Sequence, residues 1–287
     1  MARRNNEDRI GAPQVPADLP MPDLVEQQGQ TDNQFSYPAP TEFVDLPSQG
    51  KFYPPAHALH GRDTLEIRFM TAKDEDILTS PALLRKGLAL DRFLQNVIID
   101  KAVKVNDLLV CDKNALVVRS RVTGYGADYQ TKVACPACGS TSEHNFDLDE
   151  GKIVTADDLI AQGVQINEKG LIQIELPRTG ATVMTRMLNG HDEARLVNKK
   201  GSPNQMVPPN FLTNQLKTII VSVDGNEDRA FINSFVDSLP ALDSRHLRKE
   251  YAKSTPSVDL TQFFSCPSCF FEEEMEVPFT SDFFWPK

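Results

Sequence analysis

Long apolar runs are missing from this 287-residue sequence. No stretch reaches the about 18 residues that a membrane-spanning helix needs, and the opening MARRNNEDRI lacks the apolar core of a secretory signal. The expectation is a protein made and used without a membrane span. Cysteine is scarce as well: five in the chain are too few for a disulfide scaffold. Four of the five fall in two Cys-Pro-x-Cys pairs, a spacing suited to metal thiolates in a reducing cytosol. Positive charge is in short supply, with 30 Lys+Arg against 40 Asp+Glu, a net charge of -10 and a pI near 5.0. The overall field repels phosphate polymers, so nucleic acid is a poor partner.

Catalytic signatures are also lacking. His57, His60, His144, His191 and His246 are scattered and sit beside no recognisable Ser or Cys nucleophile motif. Gly124-Tyr125-Gly126 is too short for a phosphate loop and follows a helical pattern rather than opening one. His191-Asp192-Glu193 reads as the polar first turn of a helix, where acidic groups favour the positive end of the dipole. Lys73-Asp74-Glu75-Asp76 occupies the corresponding place in the first half. No catalytic residues are assigned, and a non-enzymatic protein is expected.

What is present is enough apolar content, 40% of residues, to bury a core. Residues 1–42 hold six prolines and few large apolar side chains, which predicts a flexible N-terminal arm, read either as a solvated tail or as a segment that orders only on a neighbouring subunit. Alternation over Thr64 to Phe69 predicts a strand, and Phe93, Leu94, Val97 and Ile98 lie on one helical face. Asp112 is placed to N-cap a helix over Lys113 to Val122 that Gly124 would end. Gln130 to Val133 and Glu143 to Leu148 predict strands around the first cysteine pair. In the second half, strands are expected at Leu171 to Leu176 and Ala181 to Met187. An amphipathic helix is expected through Leu216, Ile219, Ile220 and Val223. A further helix carries Phe231, Ile232, Phe235, Val236 and Leu239 and stops at Pro240, with Asp243 capping the next through Tyr251. Strands are expected at Thr261 to Ser265 and Glu274 to Phe279.

The same landmarks recur in order in both halves. Leu46-Pro47-x-x-Gly50 matches Leu176-Pro177-x-x-Gly180, and Arg68 stands to Asp74-Glu75 as Arg186 stands to Asp192-Glu193. Asp112 precedes Cys135 by 23 residues, and Asp243 precedes Cys266 by the same 23. The expected fold is therefore α+β with two related halves from an internal duplication, each a small helical cluster with short strands. The first unit would span 43–150, a linker 151–170 and the second unit 171–287, with an insertion that includes Gly201 to Asn210.

Each Cys-x-x-Cys turn offers two sulfurs from one rigid knuckle, so Cys135, Cys138, Cys266 and Cys269 supply the four thiolates of a zinc-ribbon-like site. No long helix follows either pair, which argues against a thioredoxin motif. One structural Zn2+ per chain is expected, with Cys111 left as a buried, inert thiol. The terminal Phe283-Phe284-Trp285-Pro286 leaves two readings open: burial on its own domain, or anchoring in a partner's pocket.

Leu46-Pro47-Ser48-Gln49-Gly50-Lys51-Phe52-Tyr53-Pro54 and Ile67-Arg68-Phe69-Met70-Thr71-Ala72-Lys73-Asp74-Glu75-Asp76-Ile77-Leu78 carry a resemblance to a known family. With Asp112-Lys113-Asn114-Ala115, Tyr125-Gly126 and the first cysteine pair, they resemble the baseplate hub proteins of T-even-like contractile-tailed bacteriophages. From Leu176 onward the chain is also similar to phage tail assembly chaperones, through Ser222-Val223-Asp224-Gly225, Leu239-Pro240-Ala241-Leu242-Asp243 and Phe-Phe-Trp-Pro. The resemblance implies a non-enzymatic hub component or hub assembly protein, built in the host cytoplasm and placed in the virion tail baseplate. Its partners would be other baseplate or tail proteins, with homo-oligomers in a symmetric baseplate. A transient chaperone for tape measure or hub proteins, and a zinc-ribbon nucleic-acid binder, are the alternatives.

Overall fold

Strand β1 (Thr41–Asp45) is the first element of the described residues and pairs antiparallel with β2 (Thr64–Arg68), the strand whose alternation is visible in the sequence. The computed structural model describes residues 39–197, 210–279 and 283–284. The proline-rich residues 1–38, most of the expected insertion at 201–210, and Trp285 lie outside the described residues. Short helices follow β2: α1 (Ala72–Thr79), α2 (Pro81–Arg85) and α3 (Ala89–Val97). Phe93, Leu94, Val97 and Ile98 are buried, as their shared face predicts.

The central helix α4 (Val110–Tyr125) differs from expectation at both ends. It starts before Asp112, and Gly126, at φ 85°, closes it in place of Gly124. Asp112 lies inside the first turn because its carboxylate is used elsewhere. It accepts hydrogen bonds from the Ser48 amide (3.0 Å), the Ser48 hydroxyl (2.6 Å) and the Tyr53 hydroxyl (2.7 Å). The same correction applies to Asp243. Helix α9 (Ala241–Lys253) starts before it, and its carboxylate accepts from the amides of Arg178 (2.8 Å) and Thr179 (3.0 Å). In both halves an Asp from a helix start ties down a Leu-Pro-x-x-Gly turn, with 64 residues between Ser48 and Asp112 and between Thr179 and Asp243. Gly50 and Gly180 close those turns at φ 68°, where a side chain is strained, and at Gly50 a Cβ would lie 2.4 Å from backbone atoms.

Hairpin β3 (Asp128–Ala134) and β4 (Thr141–Asp147) ends the first half. Residues 151–170, expected as a linker, carry β5 (Lys152–Val154) and α5 (Ala156–Ala161), and β5 pairs with β9 (Ser257–Asp259) near the end of the second half. Strands β6 (Ile172–Glu175), β7 (Thr182–Thr185) and β8 (Ile220–Val223) form an antiparallel sheet in that order. Helix α6 (Gly190–Val197) follows β7, and α7 (Phe211–Ile219) leads directly into β8. The expected helix through Val223 therefore stops at Ile219. The β-branched run Thr218-Ile219-Ile220-Val221 favours an extended chain once β7 offers it a pairing edge. Helix α8 (Arg229–Ser238) precedes α9, and β10 (Thr261–Ser265) pairs with β11 (Glu272–Glu276) in the last hairpin. One cluster of buried apolar side chains, including Leu46, Phe93, Leu116, Ile174, Val183, Leu247 and Phe264, runs through both halves.

A second polar device also occurs twice. Arg68 donates to both oxygens of Asp74 at 2.6 and 2.8 Å and to the Phe69 carbonyl at 3.0 Å. Arg186 donates to both oxygens of Asp192 at 2.6 and 2.9 Å and to the Met187 carbonyl at 3.1 Å. Each pair fixes the start of a helix, α1 or α6, against the strand before it. The Asp74 side chain is fully buried. Burial acts to raise its pKa, yet hydrogen bonds from Arg68, Thr71 and Asn96 outweigh that and hold it down at about 2. A depressed carboxylate pKa gives stability that is present above the unfolded value of about 3.9 and is lost as pH falls through the folded value. Replacing Asp74 by Asn should cost about 3 kcal/mol at pH 7 by stranding the Arg68 charge. Denaturant melts should show the gap between Asp74→Asn and the parent narrowing as pH falls from about 4 to about 2. A gap that stays constant over that range would separate the pair from acid stability.

Candidate metal centre

The two hairpins carry the cysteines on the same turn. After β3, the Cys135 amide donates to the Ser140 carbonyl (2.9 Å) and the Gly139 amide to the Cys135 carbonyl (2.9 Å). After β10, the Cys266 amide donates to the Phe271 carbonyl (2.8 Å) and the Phe270 amide to the Cys266 carbonyl (2.9 Å). The fifth residue of each knuckle turns into the left-handed region, Gly139 at φ 72° and Phe270 at φ 59°. Proline after the first cysteine fixes φ where the turn begins and removes an amide with no partner to find.

The knuckles face each other. Cys135 Sγ lies 3.7 Å from Cys269 Sγ, and Cys138 Sγ lies 3.8 Å from Cys266 Sγ. All four sulfurs lie within 4.8 Å of one another. A tetrahedron of thiolates with metal–sulfur bonds of about 2.3 Å has edges of about 3.8 Å, so the shorter separations already match such a site. They are far beyond the about 2.05 Å of a disulfide, and all five cysteines are free. Cys135 and Cys266 are buried and Cys138 and Cys269 exposed, so the cluster closes on the protein side and opens toward solvent. The expected residues are thus brought together, and among the described residues no other cluster of three or more His, Cys, Asp or Glu ligands occurs.

Ser140 was not legible as part of this site. Its hydroxyl lies 3.0 Å from Cys138 Sγ and 3.5 Å from Cys266 Sγ, bridging a sulfur from each knuckle. The Ser140 hydrogen bond is the largest cause that lowers the Cys138 thiol and brings Cys266 down to about 6. A backbone hydrogen bond from Phe271 also lowers Cys269, but sharing a proton with Cys138 and the other sulfurs raises that thiol to about 12. Four crowded sulfurs cannot all ionise without a cation to hold them. The only signal for Ser140 in the sequence was its place directly after Cys138-Gly139, where a hydroxyl can reach back to the sulfur.

The other sequence-singled residues are placed elsewhere. Cys111 is buried, and burial pushes its thiol well above the ordinary range. His191 and Glu193 belong to the first turn of α6, with His191 Nε2 3.0 Å from Asp107 and Glu193 accepting from Lys113 at 2.8 Å. Of the aromatic tail, Phe283 and Phe284 are buried, and Trp285 lies outside the described residues. Phe283 packs edge-on against Tyr129 (5.2 Å) and Phe284 against Phe93 (5.6 Å), while Arg121 Nε donates to the Phe283 carbonyl at 2.6 Å.

An α+β chain with two knuckle hairpins meeting at four thiols has a candidate four-cysteine metal site. A family model for T4 bacteriophage base plate protein matches residues 39–285. The chain belongs to that family and is a phage baseplate protein. No curated protein and no solved structure matches it.

Titrating the chelator-treated, reduced chain with cobalt(II) should give one equivalent of binding and the thiolate charge-transfer and d–d bands of a tetrahedral site. Ser140→Ala should weaken that binding by about 10- to 100-fold without changing the far-ultraviolet dichroism, the range expected when a partner of a ligand is lost. An affinity equal to the parent's would show that the hydroxyl does not act on the site.

Proposed function

We propose that this chain is a non-enzymatic component of the baseplate hub, acting by protein–protein binding, with one structural Zn2+ held by Cys135, Cys138, Cys266 and Cys269. The approach of the four sulfurs to within 4.8 Å carries the metal reading. Four thiolates fill a tetrahedral zinc, so the ion would have no open position for water and would serve shape rather than chemistry. The ligands come from positions 128 and 134 residues apart, so the ion would tie the end of each half to the other.

The family match and the net charge of -10 support protein partners over DNA. The paired Asp–turn and Arg–Asp geometries, with the paired knuckles, support descent of residues 43–150 and 171–287 from one duplicated unit. The composition of residues 1–42 supports an arm that orders on a neighbouring subunit.

The purified chain should hold about one zinc, and Cys135→Ser or Cys269→Ser should release it. Structural zinc in small finger peptides contributes about 10 to 16 kcal/mol, an upper guide for a chain with its own core. Loss of even about 3 kcal/mol of that would lower Tm by about 10 °C. Full zinc occupancy in a Cys135→Ser, Cys138→Ser double variant would remove the shared site. Quantitative mass spectrometry of purified virions tests the hub role: presence in fixed ratio to other baseplate proteins is expected. Absence from virions, with association during assembly, would make the protein a transient chaperone instead.

A further inference from the structure

The β3–β4 and β10–β11 hairpins build the same knuckle, so each is a control for what the other needs in order to fold. Their inward positions agree in kind: Val133 and Phe146 in the first and Phe264 and Val277 in the second are all buried. Their outward positions do not. Counting from the first cysteine of each knuckle, Phe263 stands where the first hairpin has Lys132, and Phe270 where it has Gly139. Glu272 and Glu276 stand where it has Thr141 and Asn145. Phe270 is 82% exposed at φ 59°, a conformation that glycine takes at no steric cost and that strains a bulky side chain. Phe263 is 59% exposed and lies directly opposite Glu274 in the register, with Glu272 and Glu276 on the same outward face. None of Glu272, Glu273, Glu274 and Glu276 pairs with a cation among the described residues, and the outer edge of β11 carries no further strand there. Folding explains neither the strained, solvated Phe270 nor four unneutralised carboxylates on a five-residue strand.

We propose that the outward face and free edge of the β10–β11 hairpin form a docking surface for a basic, extended segment of another baseplate protein. The partner's main chain would pair along β11, its Lys and Arg side chains would meet the glutamates, and an apolar side chain would pack on Phe263 and Phe270. A second copy of this chain is a poor occupant, because it would bring glutamate against glutamate, and nucleic acid is excluded by the same charge. This surface rests on the reading of the chain as a protein that acts by binding in the baseplate.

The test uses phage carrying Phe270→Gly, phage carrying Glu272→Lys with Glu274→Lys, and phage with a photoreactive phenylalanine analogue at position 270. Purified Phe270→Gly should melt at the parent temperature or above, while both variants lower the yield of infectious particles at least about tenfold, the loss expected for a hot-spot contact. Crosslinks from position 270 should fall on a Lys- or Arg-rich segment of a different baseplate protein. A clear drop in the Tm of Phe270→Gly would make the ring structural, and crosslinks to a second copy or to nucleic acid would name the wrong occupant. Either result overturns the proposal. If both variants sediment with baseplates and yield particles as the parent does, this surface fails and the baseplate role stands. If the parent chain itself associates with no baseplate protein at any stage, that role fails too.

Discussion

Four sulfur atoms separated by up to 134 residues of chain must meet within 4.8 Å, and much of the architecture follows from that closure. Each hairpin delivers its two sulfurs from a knuckle whose backbone is held by its own hydrogen bonds, so little flexibility remains to be lost when the knuckles meet. The closure lies at the ends of both halves. It acts together with the β5–β9 pairing and the shared apolar core, so that the halves form one body rather than two beads.

Away from the sulfurs, buried charge is handled by two repeated devices. Asp112 and Asp243 reach from helix starts to the amides of a turn 64 residues earlier, and Arg68–Asp74 and Arg186–Asp192 fix helices to the strands before them. The two aspartates of the first device are shifted in opposite directions. Burial raises Asp112 despite its donors, whereas at Asp243 hydrogen bonds from Arg178 and Thr179 outweigh burial and lower it. Lys113, paired with Asp91 of the first half and Glu193 of the second at 2.8 Å each, adds a charged link across the halves.

The four-cysteine cluster was legible from sequence because Cys-x-x-Cys is a local pattern with a fixed geometric consequence. Strands β2 and β10 and the buried face of α3 were legible for a similar reason, since their periodicity is local. Errors arose where a distant partner decided the outcome. Asp112 and Asp243 carry the signature of N-caps, but their carboxylates are taken by turns far away in the chain. Ile219 and Ile220 fit a helical face, but β7 offers the second of them a strand edge. Ser140 entered the site only once a sulfur from the other knuckle stood beside it.

A metal clip at the four cysteines would keep a baseplate protein in shape while neighbours assemble around it. The central claim, that one ion is gripped by thiolates from both hairpins, is tested most directly by X-ray absorption at the zinc edge on the purified chain. Four sulfur neighbours at about 2.3 Å and no nitrogen or oxygen shell are predicted. Two sulfurs with lighter ligands completing the shell would mean that each knuckle binds alone, and would contradict the account.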